Sequence, residues 1–297
     1  MKIGMLKWAA NLGLALSLAL LTISGSAVSL EAGGSAGTES SPLPDWKTIP
    51  IIAHAMGTVD CRRETNSADA FLSSYEAGQR VFEVDLQLTS DGVLVARHDW
   101  DQVSYYNLEQ TYAGIMDHET FMNTPICYFY SPVDIDGLLA LLISHPDAYL
   151  VTDSKDTDES TVRAQLKAVT QAVERTGDSS LWDRIIVQIY HEEMLDWVRE
   201  ETSATNFIFT LYHIAKPDYA AIGAFCQSNG IRVVTMDYTR LNGENNKILH
   251  SYGCLIYLHT VNRLQEMIVA DWGADGFYSD YITPGQLQAA RDGRDWR

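Results

Sequence analysis

From Ile51 onward, the sequence alternates short apolar runs with longer amphipathic stretches. The apolar runs have the length of β-strands, and most of the stretches between them have helical spacing. The strand candidates are PIIAH, RVFEVDLQL, VLVARH, AYLVTD, RIIVQIY, FIFTLY, IRVVTM, CLIYLH and DGFYS. Alternating strand–helix units imply a mostly parallel sheet. Roughly eight such units in about 250 residues predict a (β/α)₈ barrel rather than an open sheet. The glycine-rich motifs of nucleotide-binding α/β folds do not occur in the sequence.

One connection is too short to join parallel strands. Only Ser90, Asp91 and Gly92 separate QLT from VLV, which predicts an antiparallel hairpin over residues 81–98. Asp-Gly is the preferred pair for a two-residue turn, and that turn would place Asp85 opposite His98. A three-residue loop would shift this register by one residue.

The N-terminal segment differs from the rest of the chain. Lys2 and Lys7 precede a stretch without charge that runs from Trp8 to Leu30. Residues 1–30 are therefore predicted to be a secretory signal peptide or, because a membrane span needs roughly 20 apolar residues, an N-terminal membrane anchor. Residues 31–46, rich in Gly, Ser and Pro, predict a flexible tether, and residues 47–297 the barrel domain. In either case the protein is expected to be exported, and either secreted or anchored at the outer face of the cell membrane.

Charge and cysteine content limit the partners. The formal net charge is −18, so the surface repels the phosphates of nucleic acids, and no nucleic acid partner is expected. Membrane association is expected only through the N-terminal segment, and a phosphate-bearing substrate would need a local cation. The four cysteines form no C-x-x-C pair that would suggest zinc. In an exported chain they could form disulfides, or they could be buried thiols.

Polar residues follow the apolar runs where barrel enzymes carry their chemistry, at the carboxyl ends of the strands. The residues at these positions are His54, Glu83, Asp85, His98, Asp153, Lys155, Gln188, Tyr190, Tyr212, His213, His259 and Asp280. Three carboxylates suit a hard divalent cation, Ca²⁺ or Mg²⁺. Two histidines suit proton transfer on either side of a phosphodiester.

The stretch from His54 to Trp100 resembles the glycerophosphodiester phosphodiesterase family, which belongs with the phosphatidylinositol-specific phospholipases C. The family pattern E-x-D-x-x-x-T-x-D-G-x-x-V-x-x-H-D is matched at every defined position by EVDLQLTSDGVLVARHD. Further on, Asp153-Ser154-Lys155 is similar to the E-x-K strand of the family, and His259-Thr260-Val261-Asn262 is similar to its W-T-V-N. The resemblance covers essentially the whole predicted domain and implies the same barrel.

The resemblance also implies roles. His54 and His98 would be the catalytic pair, Glu83, Asp85 and Asp153 would hold the metal, and Lys155 would contact phosphate. From their strand-end positions, Gln188 and His259 are further candidates for substrate binding.

The implied reaction is metal-dependent hydrolysis of glycerophosphodiesters to glycerol 3-phosphate and an alcohol. The substrate would be a small phosphodiester or a phospholipid head group. Two alternatives remain: a phospholipase C- or D-like enzyme acting on membrane phospholipid, and a catalytically silent barrel that binds a phosphorylated ligand.

The chain departs from the family pattern at two places. Ala55 stands where the family has the Arg that follows the first catalytic His, and Thr65 stands where it has Glu. Arg62, Arg63 and Arg97 are candidates to replace the missing Arg. The missing Arg after His54 motivates the silent-barrel alternative.

Overall fold

Eight parallel strands close into a barrel in the computed structural model, which describes residues 44–100 and 114–293. The strands are β1 (Ile51–Ala53), β2 (Val81–Leu88), β4 (Tyr149–Asp153), β5 (Ile185–Ile189), β6 (Asn206–Thr210), β7 (Val233–Asp237), β8 (Leu255–His259) and β9 (Gly276–Ser279). Closure is direct, since β1 pairs in parallel with both β2 and β9. A ninth strand, β3 (Leu94–Ala96), pairs antiparallel with β2 outside the barrel. The predicted (β/α)₈ barrel is confirmed.

A helix follows each barrel strand in the chain, and a short additional helix precedes α3. The helices are α1 (Ala68–Glu76), α2 (His118–Met122), α3 (Ile135–Ser144), α4 (Glu159–Thr176), α5 (Glu192–Glu201), α6 (Tyr219–Asn229), α7 (Gly243–Ser251), α8 (Leu264–Ala270) and α9 (Pro284–Arg291). Several begin at a side chain that accepts a hydrogen bond from a backbone N–H of the first turn, such as Ser67 before α1 and Asp158 before α4. Such caps fix where the strand-to-helix loops end.

The inside of the barrel is divided into an apolar part and a polar part. Inward-facing apolar residues pack into one cluster, including Ile52, Val81, Val151, Ile186, Ile208, Val233 and Tyr257. Because side chains of a strand alternate between its two faces, the residue two positions further along also faces inward. Those next positions include Glu83, Asp153 and Gln188; β4 ends at Asp153 and β5 one residue after Gln188, whereas β2 continues to Leu88. The alternation that builds the core therefore also places the polar residues at the barrel mouth, the end formed by the carboxyl ends of the strands.

The hairpin has a different register from the two-residue turn that Asp91-Gly92 suggests. Thr89 N–H donates to Val93 O at 2.9 Å, and Arg97 N–H donates to Asp85 O at 2.8 Å. The loop therefore contains three residues, with Gly92 at φ +83°, a left-handed conformation that suits glycine in this loop type. The predicted pairing of Asp85 with His98 is wrong, because Arg97 lies opposite Asp85 and His98 is one residue beyond.

The predicted signal or anchor, residues 1–30, lies outside the described residues. Of the predicted tether, residues 44–46 are described, and the indole of Trp46 is buried and donates from Nε1 to Asn206 Oδ1 at 3.1 Å. Among the described residues, no helix has the length and apolar character needed to cross a membrane. The four cysteines are free thiols, and those of Cys127, Cys226 and Cys254 are buried.

Candidate active site

Three buried carboxylates meet at the mouth of the barrel. The parallel register of β2 and β4 sets Asp85 beside Asp153, and Glu83 faces inward two residues before Asp85. Oxygen atoms of these three residues lie within 4.8 Å of one another, and all three residues are buried. Convergence of three carboxylates without a cation would be unfavourable, since like charges close together raise each other's pKa.

Lys155 supplies one positive charge to this cluster. Its Nζ lies 2.7 Å from Asp85 Oδ1 and 2.6 Å from Asp153 Oδ2. Burial opposes its charge, but the two carboxylates outweigh burial and hold the pKa of Lys155 above its ordinary value. Residue 155 has φ +55°, so the backbone turns sharply after β4 and returns the ammonium over the end of the strand. The contact expected of Lys155 with a phosphate would place that phosphate beside the carboxylates.

One ammonium does not neutralise three carboxylates. Burial and the charge of Asp85 raise the pKa of Glu83, whereas Lys155 and nearby histidines outweigh burial and lower that of Asp85. Glu83 Oε2 accepts from Ala55 N–H at 2.7 Å, while its Oε1 is buried and has no hydrogen-bond partner among the described residues. A buried carboxylate oxygen without a donor fits a metal ligand. Glu83, Asp85 and Asp153 therefore fit a divalent cation.

His54 lies on the first strand-to-helix loop and is fixed by the carboxylate of Asp280, the residue that follows β9. Its Nδ1 lies 2.7 Å from Asp280 Oδ1. Burial opposes protonation, but the bond to Asp280 and the charge of Glu83 outweigh it and raise the pKa of His54 to about 9. The imidazole is therefore protonated at neutral pH and can donate a proton from Nε2. Asn262 donates to the other oxygen of Asp280 at 2.6 Å, which fixes the carboxylate.

His98 is the more open of the two histidines. Half of its side chain is exposed, and its Nδ1 lies 2.6 Å from Asp99 Oδ2. The hairpin register places Arg97 opposite Asp85. His98 therefore lies beyond the last backbone pairing of the hairpin, after the end of β3. It lines the same cavity as His54.

The cavity at the barrel mouth has a volume of about 410 Å³ and brings most of the predicted residues together. It is lined by His54, Glu83, His98, Asp99, Asp153, Lys155, Gln188, Tyr190, Thr210, Tyr212, His213, His259, Thr260 and Tyr278. Asp85 is buried beside this lining. Gln188 Oε1 accepts from the hydroxyl of Tyr278 at 3.0 Å. His259 Nε2 is buried without a hydrogen-bond partner among the described residues, and burial lowers its pKa to about 4.

The three arginines proposed as substitutes for the missing Arg lie outside the described lining of this cavity. Arg63 is near the site, with Nη1 3.6 Å from Asp280 Oδ2. Arg97 lies over the ring of Trp100 at 4.2 Å, and Arg62 reaches Cys127 Sγ at 4.0 Å. Among the described residues that line the cavity, Lys155 is the one Lys or Arg.

Four residues at the site were assigned no catalytic, metal-binding or substrate-binding role from the sequence. Asn66 holds Asp85 twice, by donating from Nδ2 to Oδ2 at 2.8 Å and by accepting from the backbone N–H at 3.0 Å. The hydroxyl of Tyr190 donates to Asp153, and Asp280 holds His54. Tyr212 lines the cavity rim. Asp280, Tyr190 and Tyr212 follow strands, so their positions were visible in the sequence, but their partners were not.

Comparison with known proteins agrees with this site. The sequence model of the "Glycerophosphoryl diester phosphodiesterase family" matches residues 57–119, a segment that carries Glu83, Asp85 and His98. A glycerophosphodiester phosphodiesterase of Bacillus subtilis is 26% identical over 229 residues, which cover 70% of this chain and 77% of the relative.

Solved structures share the fold. A phosphodiesterase from Oleispira antarctica, solved in complex with the product sn-glycerol-3-phosphate, superposes with a TM-score of 0.67 at 14% identity and covers 83% of this chain and 98% of its own. A glycerophosphodiester phosphodiesterase from Parabacteroides distasonis gives a TM-score of 0.64 at 17% identity, with 83% and 98% coverage. Fold, matched segment and buried carboxylates together make this chain similar to the glycerophosphodiester phosphodiesterase family.

Proposed function

We propose that this enzyme hydrolyses glycerophosphodiesters to glycerol 3-phosphate and an alcohol, with His54 as the proton donor and His98 as the proton acceptor. The observation that carries the proposal is the pairing of His54 with Asp280 at 2.7 Å in a cavity that His98 also lines. Two histidines in different environments suit opposite proton transfers. The carboxylate cluster between β2 and β4 lies beside them.

A divalent cation, Ca²⁺ or Mg²⁺, is proposed as the cofactor. Glu83, Asp85 and Asp153 would hold it, since all their donor atoms are oxygens and one of them, Glu83 Oε1, lacks a donor. When bound, such a cation neutralises charge on the phosphoryl oxygens.

The protein residues would carry the proton transfers. His98 takes the proton from the glycerol 2-hydroxyl as this oxygen attacks phosphorus, and His54 gives its proton to the departing alcohol oxygen. Water then opens the cyclic phosphate with the roles reversed: neutral His54 accepts a proton from water, and protonated His98 returns one to the glycerol oxygen. Lys155 would balance the charge of the phosphoryl oxygens, and Gln188 and His259 would bind the substrate.

The site of action is proposed to lie outside the cytosol. The uncharged stretch from Trp8 to Leu30 supports export, with the enzyme secreted or held at the outer face of the membrane.

The test is a substrate panel with product identification. We expect glycerophosphodiesters to yield glycerol 3-phosphate, detected with glycerol 3-phosphate dehydrogenase, and EDTA to abolish turnover until Ca²⁺ or Mg²⁺ is restored. Release of free glycerol with a phosphorylated alcohol would place the cleavage on the other side of phosphorus. Full activity after chelation would contradict the proposed metal cofactor.

A phospholipase acting on intact membrane lipid is the second candidate. Tyr128 and Phe129 are 64% and 78% exposed on a turn whose Tyr130 hydroxyl donates to Asp60 at 3.1 Å. Asp60 belongs to the loop that follows β1, so this aromatic pair lies on the mouth side. Activity that rises when phospholipid is presented as vesicles, and falls in a Phe129→Ser variant, would favour this candidate.

A further inference from the structure

Five aromatic side chains form a continuous arc along one side of the cavity. The ring centroids of Tyr190 and His213 are 4.8 Å apart, those of His213 and Tyr212 are 5.2 Å apart, and those of Tyr212 and His259 are 5.8 Å apart. Tyr278 completes the series at 6.2 Å from His259. All five rings line the cavity. We call this set the aromatic arc.

The aromatic arc and the carboxylate cluster come from different strands of the barrel. Its rings follow or belong to β5, β6, β8 and β9, whereas the carboxylates come from β2 and β4. Two of its members are anchored, because the hydroxyl of Tyr190 donates to Asp153 and that of Tyr278 donates to Gln188. A phosphodiester bound at the carboxylates could therefore extend its second substituent along the rings.

The rings of the aromatic arc offer π-electron faces rather than positive charge. Burial holds the pKa of His259 near 4, so its imidazole is neutral at physiological pH, and the hydroxyls of Tyr190 and Tyr278 donate hydrogen bonds to Asp153 and Gln188. Tyr212 is 66% exposed, so one ring face is open to a ligand. The net charge of −18 favours the approach of cations to the protein.

We propose that the aromatic arc binds a quaternary ammonium head group on the alcohol side of the phosphodiester. Such a cation donates no hydrogen bonds, so it loses less on leaving water than a primary ammonium does, and aromatic faces attract it electrostatically. The role in substrate choice rests on the proposed function, whereas binding of the head group does not need turnover. A purely structural role for these rings, covering the barrel mouth, would give no preference for charge.

The decisive comparison uses two substrates of the same shape. Glycerophosphocholine carries a trimethylammonium group, and the glycerophosphodiester of 3,3-dimethylbutanol carries a tert-butyl group in its place. We expect kcat/KM to favour the cation by about 3- to 30-fold. Tyr212→Leu should bring the ratio close to one, and Tyr212→Phe should preserve it.

Trp272→Leu is the control, since Trp272 is an aromatic residue that is 60% exposed and is not among the residues that line the cavity. It should leave the substrate ratio unchanged. A ratio near one in the wild type, or a ratio that survives Tyr212→Leu, would overturn the proposal.

A binding measurement separates this proposal from the proposed reaction. Calorimetry should detect saturable binding of choline, but not of 3,3-dimethylbutan-1-ol, and Tyr212→Leu should weaken it. If choline binds in this way while no diester is hydrolysed, the reaction is wrong and the head-group site stands. If diesters are hydrolysed without preference and choline does not bind, the site is wrong and the reaction stands.

Discussion

His54 and Asp280, which lie 226 residues apart in the sequence, are joined by a contact of 2.7 Å between Nδ1 and Oδ1. The side chain of Asp280 is 2% exposed, and Asn262 and Arg63 lie near its second oxygen. This carboxylate therefore has a fixed position and a fixed charge. It favours the protonated form of His54, and because it occupies Nδ1, it leaves Nε2 as the ring nitrogen that can transfer a proton.

Asp280→Asn should move the alkaline limb of the pH–rate profile. If protonated His54 is the acid, activity is present below the pKa of His54, about 9, and is lost as pH rises through it. The amide removes the carboxylate charge, so the pKa falls and the limb should shift by about one unit or more towards lower pH. The measurement is kcat against pH. Exposed Glu193 pairs with His191, so Glu193→Gln should leave the profile in place. An unshifted limb in Asp280→Asn would exclude His54 as the acid.

The strand pattern predicted the barrel, because the alternation of apolar strands and amphipathic helices can be recognised within short stretches of sequence. It also predicted the carboxylates, since Glu83, Asp85 and Asp153 interrupt buried strands. The strand pattern could not predict side-chain contacts across the barrel. Whether Asp280 contacts His54, or Tyr190 contacts Asp153, depends on how the sheet closes. The hairpin register depended on the loop conformation at Gly92, and Asp-Gly is compatible with either loop length.

Gly92→Ala should destabilise the hairpin through backbone strain alone. Gly92 has φ +83°, and a Cβ built there meets nothing within 4 Å, so the cost is conformational, about 1 kcal/mol of unfolding free energy. Denaturant unfolding measures it. Gly285→Ala is the matched control, because Gly285 lies in α9 with ordinary backbone geometry and its Cβ would have space. Equal effects of the two substitutions would contradict the three-residue loop.

Tyr190→Phe should weaken metal binding without disturbing the barrel. The Tyr190 hydroxyl donates to Asp153, so its loss frees a proposed metal ligand to rotate, and affinity for Ca²⁺ or Mg²⁺ should fall by about 10-fold or more. Metal titration of activity and calorimetry are the measurements. Tyr278→Phe removes a similar hydroxyl bonded to Gln188 and should leave metal affinity within about twofold. Equal affinities in wild type and Tyr190→Phe would show that this hydrogen bond does not orient the ligand.

Lys155→Met should change metal affinity and turnover in opposite directions. The ammonium of Lys155 is bound to Asp85 and Asp153, the same carboxylates proposed for the metal, so its removal leaves buried negative charge uncompensated. The unfolding free energy of the metal-free protein should fall by about 3 kcal/mol, and the metal should bind more tightly and restore more stability than in wild type. Turnover at saturating metal should nevertheless fall, because a charge beside the phosphoryl oxygens is lost.

Lys167→Met is the control for this charge change. Its side chain is 59% exposed and its ammonium lies 3.7 Å from Glu201, so removal of the charge should alter stability by less than about 0.5 kcal/mol and leave metal affinity unchanged. Thermal unfolding with and without Ca²⁺ or Mg²⁺, combined with kcat at saturating metal, gives both readouts. Weaker metal binding in Lys155→Met would mean that the ammonium organises Asp85 and Asp153 for the cation. Tighter binding with lower kcat would mean that Lys155 offsets their charge and acts on the phosphate.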